Sequence, residues 1–407
     1  MNAGAPTAAA TAHTAALAGQ ADGLDHCPLM PTYAPPSLQL VSGEGAYVTD
    51  SHGNRYLDFL SGLAVTSLGH AHPEITAAIA AQAARLTHVS NLYANEHQGP
   101  LASTIDRLLG GGGQIFFSNS GAEANECALK LARKFGGRGR HVVVSAYGSF
   151  HGRTLATLHA TGQPAKHEAF QPLPEGFRHV SWGEADELEA ALDDTVGAVL
   201  LEPVQGEGGV FPAEVEYFQA VRRMCDERGV LFMVDEVQTG LGRTGRWFGF
   251  EHFGIRPDVV TLAKALGNGM PIGACWARRD VAAVFEPGDH GSTYGGQPLA
   301  AATARKVLEI MERDRLPERA AALGAELTER LSKMANVVSV RGFGLLLGVE
   351  IDIEALGRDA KVIAAELAGR GLLVNPVTPT ALRLAPPLNI DAHHVDEAID
   401  HLAAVLA

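Results

Sequence analysis

Lysine is scarce in this chain, with seven residues among 407, so the placement of each one carries information. Cysteine is scarcer: Cys27, Cys127, Cys225 and Cys275 stand far apart, without a CxxC pair. That spacing excludes a zinc ribbon and a disulfide framework, fits a reducing compartment and sets the expectation of a cytoplasmic location. No uncharged apolar run approaches the ~18 residues of a membrane-spanning helix, so no membrane span is expected. The first 23 residues are rich in Ala, Thr and Gly and contain no Lys or Arg. A secretory leader needs a basic start and a continuous apolar core, and this stretch has neither, so residues 1–25 read as a disordered tail. Positive charge is short throughout, with a formal net charge of −14. That argues against nucleic acid or an anionic membrane as a partner, while leaving room for small anionic substrates held by local arginines.

What is present is enough apolar material, 46% of the chain, for more than one core. From about residue 75, helical and strand patterns alternate. "ITAAIAAQAARL" and "EVEYFQAVRRMCDERG" read as helices, the second ending at Gly229. "HVVVSA", "VGAVLLEPV" and "VLFMVDEV" are apolar, β-branched runs of strand length. Strands apolar on both faces and separated by helices predict an α/β fold, with a mainly parallel sheet covered on both sides. After Pro298 the pattern changes to two helices, "VVSVRGFGLLLGVEI" as a strand pair bent at Gly342 and Gly344, a helix over 361–369, "LRLAPPLNI", and a last helix near 392–406. The expected division is a large domain over 71–297, a smaller α+β domain over 298–407, and a segment over 26–70 packing with the smaller one.

Four stretches can carry chemistry. "TLAKALGNGMPIGA" contains one charge, Lys264, among small and apolar neighbours at a glycine-rich turn. It is either a surface lysine or one so poorly solvated that its amine loses its proton and becomes a nucleophile. "FFSNSGAEANE" places Ser120, Gly121 and Ala122 between a strand and a helix start, which suits a phosphate as well as an ordinary N-cap by Ser120 with Glu123. "VLFMVDEVQTG" ends a strand with Asp235 and Glu236, where carboxylates face the ligand crevice of a parallel sheet or cap the next segment. "SFHGRT" offers Phe150 for stacking on a planar ring and Arg153 for a carboxylate, or a core residue and a solvated charge.

Two further stretches mislead. "GLGRTG", residues 240–245, matches a dinucleotide-binding glycine pattern, but it follows "DEVQT" rather than the strand itself, and "RWFGFEHFG" after it is a poor helix opening. A nicotinamide-dependent dehydrogenase is therefore set aside. His70 and His72 in "GHAHP" lack a third ligand at convincing spacing and suggest a turn before a helix, so no metal is assigned.

Taken in order, "SGAEANE", "SFHGRT", "DEVQTG", "LAKALGNGMPIGA" and "HGSTYGGQPLA" resemble the class III aminotransferases, which use pyridoxal phosphate. The resemblance runs from about residue 28 to the C-terminus and implies the type I fold of pyridoxal phosphate transferases. It matches Lys264 to the lysine that bonds to the cofactor and carries a proton, and Asp235 to the carboxylate that keeps the cofactor ring nitrogen protonated. Ser120, Gly121 and Ala122 match the phosphate turn. Phe150 and Val237 match residues on the two ring faces, and Gln238 one at the ring hydroxyl. Ser292 and Thr293 match a loop that reaches a neighbouring subunit's site, Thr293 at the phosphate, which implies a homodimer with shared sites. For substrates, Arg153 and Arg383 match carboxylate-binding arginines, Glu207 an acid that pairs with Arg383, and Tyr33 a tyrosine lining the pocket.

The nearest likeness within the family is to members that move the terminal amino group of N2-acetylornithine to 2-oxoglutarate, as in arginine biosynthesis. Ornithine, succinylornithine and 4-aminobutyrate are alternative donors. A regulator built on the same fold would need a basic DNA-binding module, which these residues do not supply. The chain departs from the family pattern at Asn268, Met270 and Gln297, and Ala94 stands where ornithine-specific members carry a pocket tyrosine.

Overall fold

The computed structural model describes residues 28–407; the tail expected over 1–25, and Cys27, lie outside the described residues. Seven strands form the central sheet: β1 (Gly113–Ser118), β2 (Val142–Ala146), β3 (Phe177–Val180), β4 (Val196–Leu201), β5 (Leu231–Asp235), β6 (Val259–Leu262) and β7 (Gly273–Arg278). Their order across the sheet is β1-β7-β6-β5-β4-β2-β3. β5 lies parallel to β4 and β6, and β2 parallel to β3 and β4, while β7 runs antiparallel to both its neighbours. Every residue of β2, β4, β5 and β6 is buried. That is why these strands read as unbroken apolar runs rather than as alternating ones: helices cover both faces. In register, Met233 faces Leu200 on one side and Val259 on the other, and Asp235 faces Thr261. The helix α1 (Gly121–Gly136) lies across β7, β6 and β4. The helix Val215–Arg228 stops at Gly229, whose φ of +61° a side chain would disfavour.

The strands Val337–Phe343, Leu346–Ile351, Ala381–Leu384 and Asn375–Thr378 form a second, antiparallel sheet. The bend expected at Gly342 and Gly344 is its first hairpin. At Gly344, with φ +54°, a Cβ would come within 2.5 Å of the Gly245 nitrogen. A third sheet joins distant parts of the chain. Leu40–Glu44, Tyr47–Asp50 and Arg55–Asp58 pair antiparallel, and Arg55–Asp58 then pairs in parallel with Leu372–Leu373, Leu57 facing Leu372. Leu57 N–H donates to Gly371 O at 2.7 Å and Phe59 N–H to Leu373 O at 3.0 Å. Among the described residues, no helix is long and apolar enough to cross a membrane.

The misleading glycine pattern has a structural role. Arg243, at its centre, is 1% exposed. Its Nη1 donates to Leu345 O (3.0 Å) and Pro386 O (2.5 Å), and its Nη2 to Ser67 Oγ (3.3 Å). The segment thus bolts the region after β5 onto the residues flanking the second sheet, and burial lowers the guanidinium pKa to about 9.

Candidate active site

In a parallel sheet the loops leaving the carboxyl ends of the strands share one edge, and that edge is where ligands bind. Here the loops after β1, β2, β4, β5 and β6 open onto a single cleft of about 380 Å³, which holds Lys264, Asp235, Phe150 and the turn Ser120–Ala122. Val237, Gln238, Arg153 and Glu207 complete the sequence-predicted residues in its lining.

Lys264 follows β6 after one intervening residue and has φ +42°, a conformation rare outside glycine. The chain then doubles back sharply: a Cβ on Gly267 would meet Met270 O at 1.9 Å. Asn268, one of the departures from the family pattern, has φ +46°, which asparagine tolerates better than most residues. Its Oδ1 accepts from Leu68 N at 2.7 Å and its Nδ2 donates to Gly69 O at 3.1 Å, so it anchors the turn. Met270 lines the cleft. Desolvation, followed by repulsion from Arg383, pulls the Lys264 amine down to about 8, against the attraction of Glu207, Asp235 and Glu202.

That value makes a prediction. Carbamylation of Lys264 by cyanate in the cofactor-free protein, followed by peptide mass spectrometry, should rise through a midpoint near pH 8. A midpoint near the ~10.4 of an ordinary lysine would show that the cleft does not desolvate the amine.

Asp235 ends β5 with its side chain almost fully buried. Its Oδ2 accepts from Asn125 Nδ2 at 2.7 Å and lies 2.9 Å from His151 Nδ1, and its Oδ1 accepts from Val237 N at 3.0 Å. Asn125 is itself held, donating to His151 O at 2.8 Å and accepting from Thr261 Oγ1 at 2.8 Å. The carboxylate is therefore held by partners from α1, the β2 loop and its own following loop, while Thr261 of β6 steadies Asn125 from behind.

At the start of α1 both sequence readings hold together. Ser120 Oγ accepts from Glu123 N at 3.2 Å as an N-cap. Among the described residues the N–H groups of Gly121 and Ala122 have no protein acceptor, which leaves two donors at the positive end of the helix dipole. Gly121 is required there, because a Cβ would lie 2.8 Å from Val237 Cγ1.

Phe150 is half-buried, and its N–H donates to Glu202 Oε2 at 3.1 Å. The Arg153 guanidinium sits 5.6 Å from the Phe150 ring centre and the Lys166 amine 5.4 Å from it. Arg383, on the second sheet, is 1% exposed. Its Nη1 donates to Glu207 Oε1 (2.6 Å) and to Gln238 Oε1 (3.1 Å), and its Nη2 to Asn375 Oδ1 (2.8 Å). Burial alone would raise the Glu207 pKa, but Arg383, with Lys264 and Lys166 adding to it, holds the carboxyl below its ordinary range.

The single chain does not bring every predicted residue to the cleft. Tyr33 is 90% exposed on the N-terminal segment, and Thr293 and Ala94 are also exposed and outside the lining. Ser292 Oγ reaches the rim, where it accepts from Asn119 Nδ2 at 3.2 Å. Gln297 caps the helix Pro298–Arg313 by accepting from Leu299 N at 2.8 Å.

Conversely, sequence reasoning missed Asn125, His151, Thr261, Glu202 and Lys166. Glu202 follows β4 as Asp235 ends β5, so the strand-end signal that picked out one acid applies to both. Burial, with repulsion from Asp235, raises the Glu202 carboxyl well above its ordinary range. Asn125 lies one helical turn past Gly121, on the same face of α1.

The residues fit a flat cationic ring carrying a phosphate. Unpaired N–H donors lie at one end, a buried carboxylate ends β5, apolar Phe150 and Val237 offer faces, and a desolvated amine stands among them. Comparison with known proteins agrees. A family model described as aminotransferase class-III matches residues 30–406. An acetylornithine aminotransferase of Gloeobacter violaceus is 48% identical over 388 residues, covering 93% of this chain and 96% of that protein. One of Caldanaerobacter subterraneus is 49% identical over 388 residues, covering 93% and 97%. A structure of the ornithine aminotransferase of Toxoplasma gondii, described as showing partial occupancy of pyridoxal phosphate at the active site, superposes with a TM-score of 0.88 at 35% identity, covering 94% of this chain and 92% of that one.

Proposed function

The chain belongs to the class III aminotransferases, which work with pyridoxal phosphate, and from that premise we propose that it transfers the terminal amino group of N2-acetylornithine to 2-oxoglutarate, giving N-acetylglutamate 5-semialdehyde and glutamate. The observation that carries the substrate assignment is the pair of half-buried Glu207 with buried Arg383, at 2.6 Å, beside the cleft. With the pair closed, Arg383 is neutralised and the pocket accepts a donor presenting one carboxylate, to Arg153. With Glu207 turned away, Arg383 offers its planar fork to the second carboxylate of 2-oxoglutarate or glutamate. One pocket thereby serves two unlike substrates. The acetylornithine aminotransferases of comparable length among its relatives support the same donor.

Bound pyridoxal phosphate supplies an electrophilic carbon and a ring that absorbs the electron pair released at the donor's carbon. The chain's own residues then have separate tasks. The N–H groups of Gly121 and Ala122, with Ser120 beside them, would hold the phosphate. Phe150 and Val237 would flank the ring, Gln238 would reach its hydroxyl and Asp235 would keep a proton on its nitrogen. Lys264 Nζ, unprotonated at mildly alkaline pH, would anchor the group and, when free, would move the proton that the reaction transfers.

The donor is tested by single-turnover assays with acetylornithine, ornithine, succinylornithine and 4-aminobutyrate. Acetylornithine is expected to exceed ornithine at least tenfold in kcat/KM. The reverse order would reassign the enzyme to free ornithine.

A cytoplasmic homodimer completes the proposal, in which Thr293 reaches the partner's phosphate and Tyr33 gains cover it lacks in the single chain. Lys264→Ala and Thr293→Asp proteins, each inactive, should regain activity when mixed under conditions that exchange subunits, because one site of each mixed dimer carries neither lesion. Mixing would restore nothing if Thr293 served its own chain.

A further inference from the structure

We propose that the chain carries a second anion site, formed by arginines at the amino-terminal edge of the central sheet and suited to a small multivalent oxyanion. The place is a cleft of about 1070 Å³ that nothing in the transamination reading uses. Five arginines line it, from separate segments: Arg222 and Arg223 from the helix Val215–Arg228, Arg256 from the loop before β6, Arg278 from the end of β7, and Arg279 just after it. Three aspartates share the cleft, and all three are already engaged. Buried Asp258 takes Arg222 Nη1 at 2.9 Å, Arg278 Nη1 at 3.2 Å and the Phe232 N–H at 2.7 Å. Asp226 pairs with Arg222 at 2.8 Å and Asp280 with Arg278 at 3.2 Å.

Arg223, Arg256 and Arg279 are left over. Among the described residues none of them has a carboxylate within salt-bridge distance, and Arg256 alone makes a protein hydrogen bond, to Gly111 O at 2.5 Å. Acids outnumber Lys and Arg in this chain 46 to 32. Three exposed arginines without acid partners, in a cleft lined by five arginines and three aspartates, are therefore a local reversal of the molecule's field. Guanidinium forks match phosphate and carboxylate geometry equally, so the shared ligand chemistry is that of a small oxyanion with two or more charges. The cleft is separate from Lys264: β6 lies between Asp258 and Ala263, and five residue steps of ~3.3 Å put the two ends ~17 Å apart. Its ligand would touch the amino ends of strands whose carboxyl ends bear Asp235 and Lys264.

The test is isothermal titration of the pyridoxal phosphate-loaded protein with inorganic pyrophosphate and, separately, with citrate at low ionic strength; loading fills the phosphate cradle of the active site. One saturable site that weakens as sodium chloride is added is expected. In the Arg223→Gln/Arg279→Gln protein, whose lost side chains make no hydrogen bond among the described residues, affinity should fall at least tenfold with the melting temperature and transaminase kcat retained. A preference for pyrophosphate would assign the site to phosphate esters and anhydrides, and a preference for citrate would assign it to polycarboxylates. Absence of binding at millimolar anion, or equal affinity in the double variant, overturns the proposal.

Discussion

Lys264→Ala is expected to leave a folded protein that has lost turnover by more than ~10⁴-fold. Among the described residues the amine makes no hydrogen bond, and alanine keeps the backbone of the turn, so the melting temperature of the cofactor-free protein should stay close to that of the parent. Two proposed functions would disappear together: the covalent hold on the cofactor and the carrying of the transferred proton. No neighbour can take over either one. Lys166, which is outside the cleft lining, stands over Phe150 and binds Gln163. Pyridoxal phosphate should still bind through the N–H groups at the start of α1 and Asp235, but without the visible absorption that a bond to the lysine would give. Absorbance and steady-state turnover check this together. A variant that keeps both the absorption and repeated turnover would remove Lys264 from the reaction.

The second large effect is expected at Asp235. Asp235→Ala should slow the single-turnover reaction with acetylornithine by roughly 10³-fold, since an unprotonated ring no longer absorbs the electron pair. Stability falls as well. The Asn125 amide loses an acceptor in a buried site, and each such orphaned group costs about 1–3 kcal/mol. Asp235→Asn separates the two effects. It preserves size and one acceptor but not the charge, so it should recover most of the melting temperature and little of the rate. Near-parental rates in the asparagine variant would mean that another group protonates the ring.

Much of this site was legible in the chain for identifiable reasons. Lys264 stood out because lysine is rare and its surroundings are uncharged. Asp235 stood out because an apolar run ends on it, and Ser120–Ala122 because a strand gives way there to a helix with a capping acid. The supports of Asp235 were illegible because they run sideways. Asn125 and His151 meet the carboxylate from α1 and the β2 loop, Thr261 of β6 holds Asn125 in turn, and nothing in any one segment reports that lateral fit. Glu202 was readable by the rule that found Asp235, had it been applied to "VGAVLLEPV". Arg383 lies on another sheet, and only the family likeness connected it with Glu207. The pattern "GLGRTG" shows the reverse error: Gly242 at φ +87° and Gly245 at φ +85°, where a Cβ on Gly245 would lie 2.9 Å from Ala321 Cβ, serve a packed turn and imitate a nucleotide loop.

The pairing of Leu57 with Leu372 also bears on how the chain is made. The two residues are separated by more than three hundred positions, so the strand Arg55–Asp58 leaves the ribosome long before its parallel neighbour exists. At synthesis rates of roughly 5–20 residues per second, the wait is on the order of 15–60 s. During that time the central sheet, whose strands all lie between the two, can assemble. The early strand meanwhile has one edge without a backbone partner, open to pairing with another nascent chain. Closure of that edge is therefore among the last events of biogenesis. Truncation before residue 372 should convert an otherwise folded chain into an aggregating one.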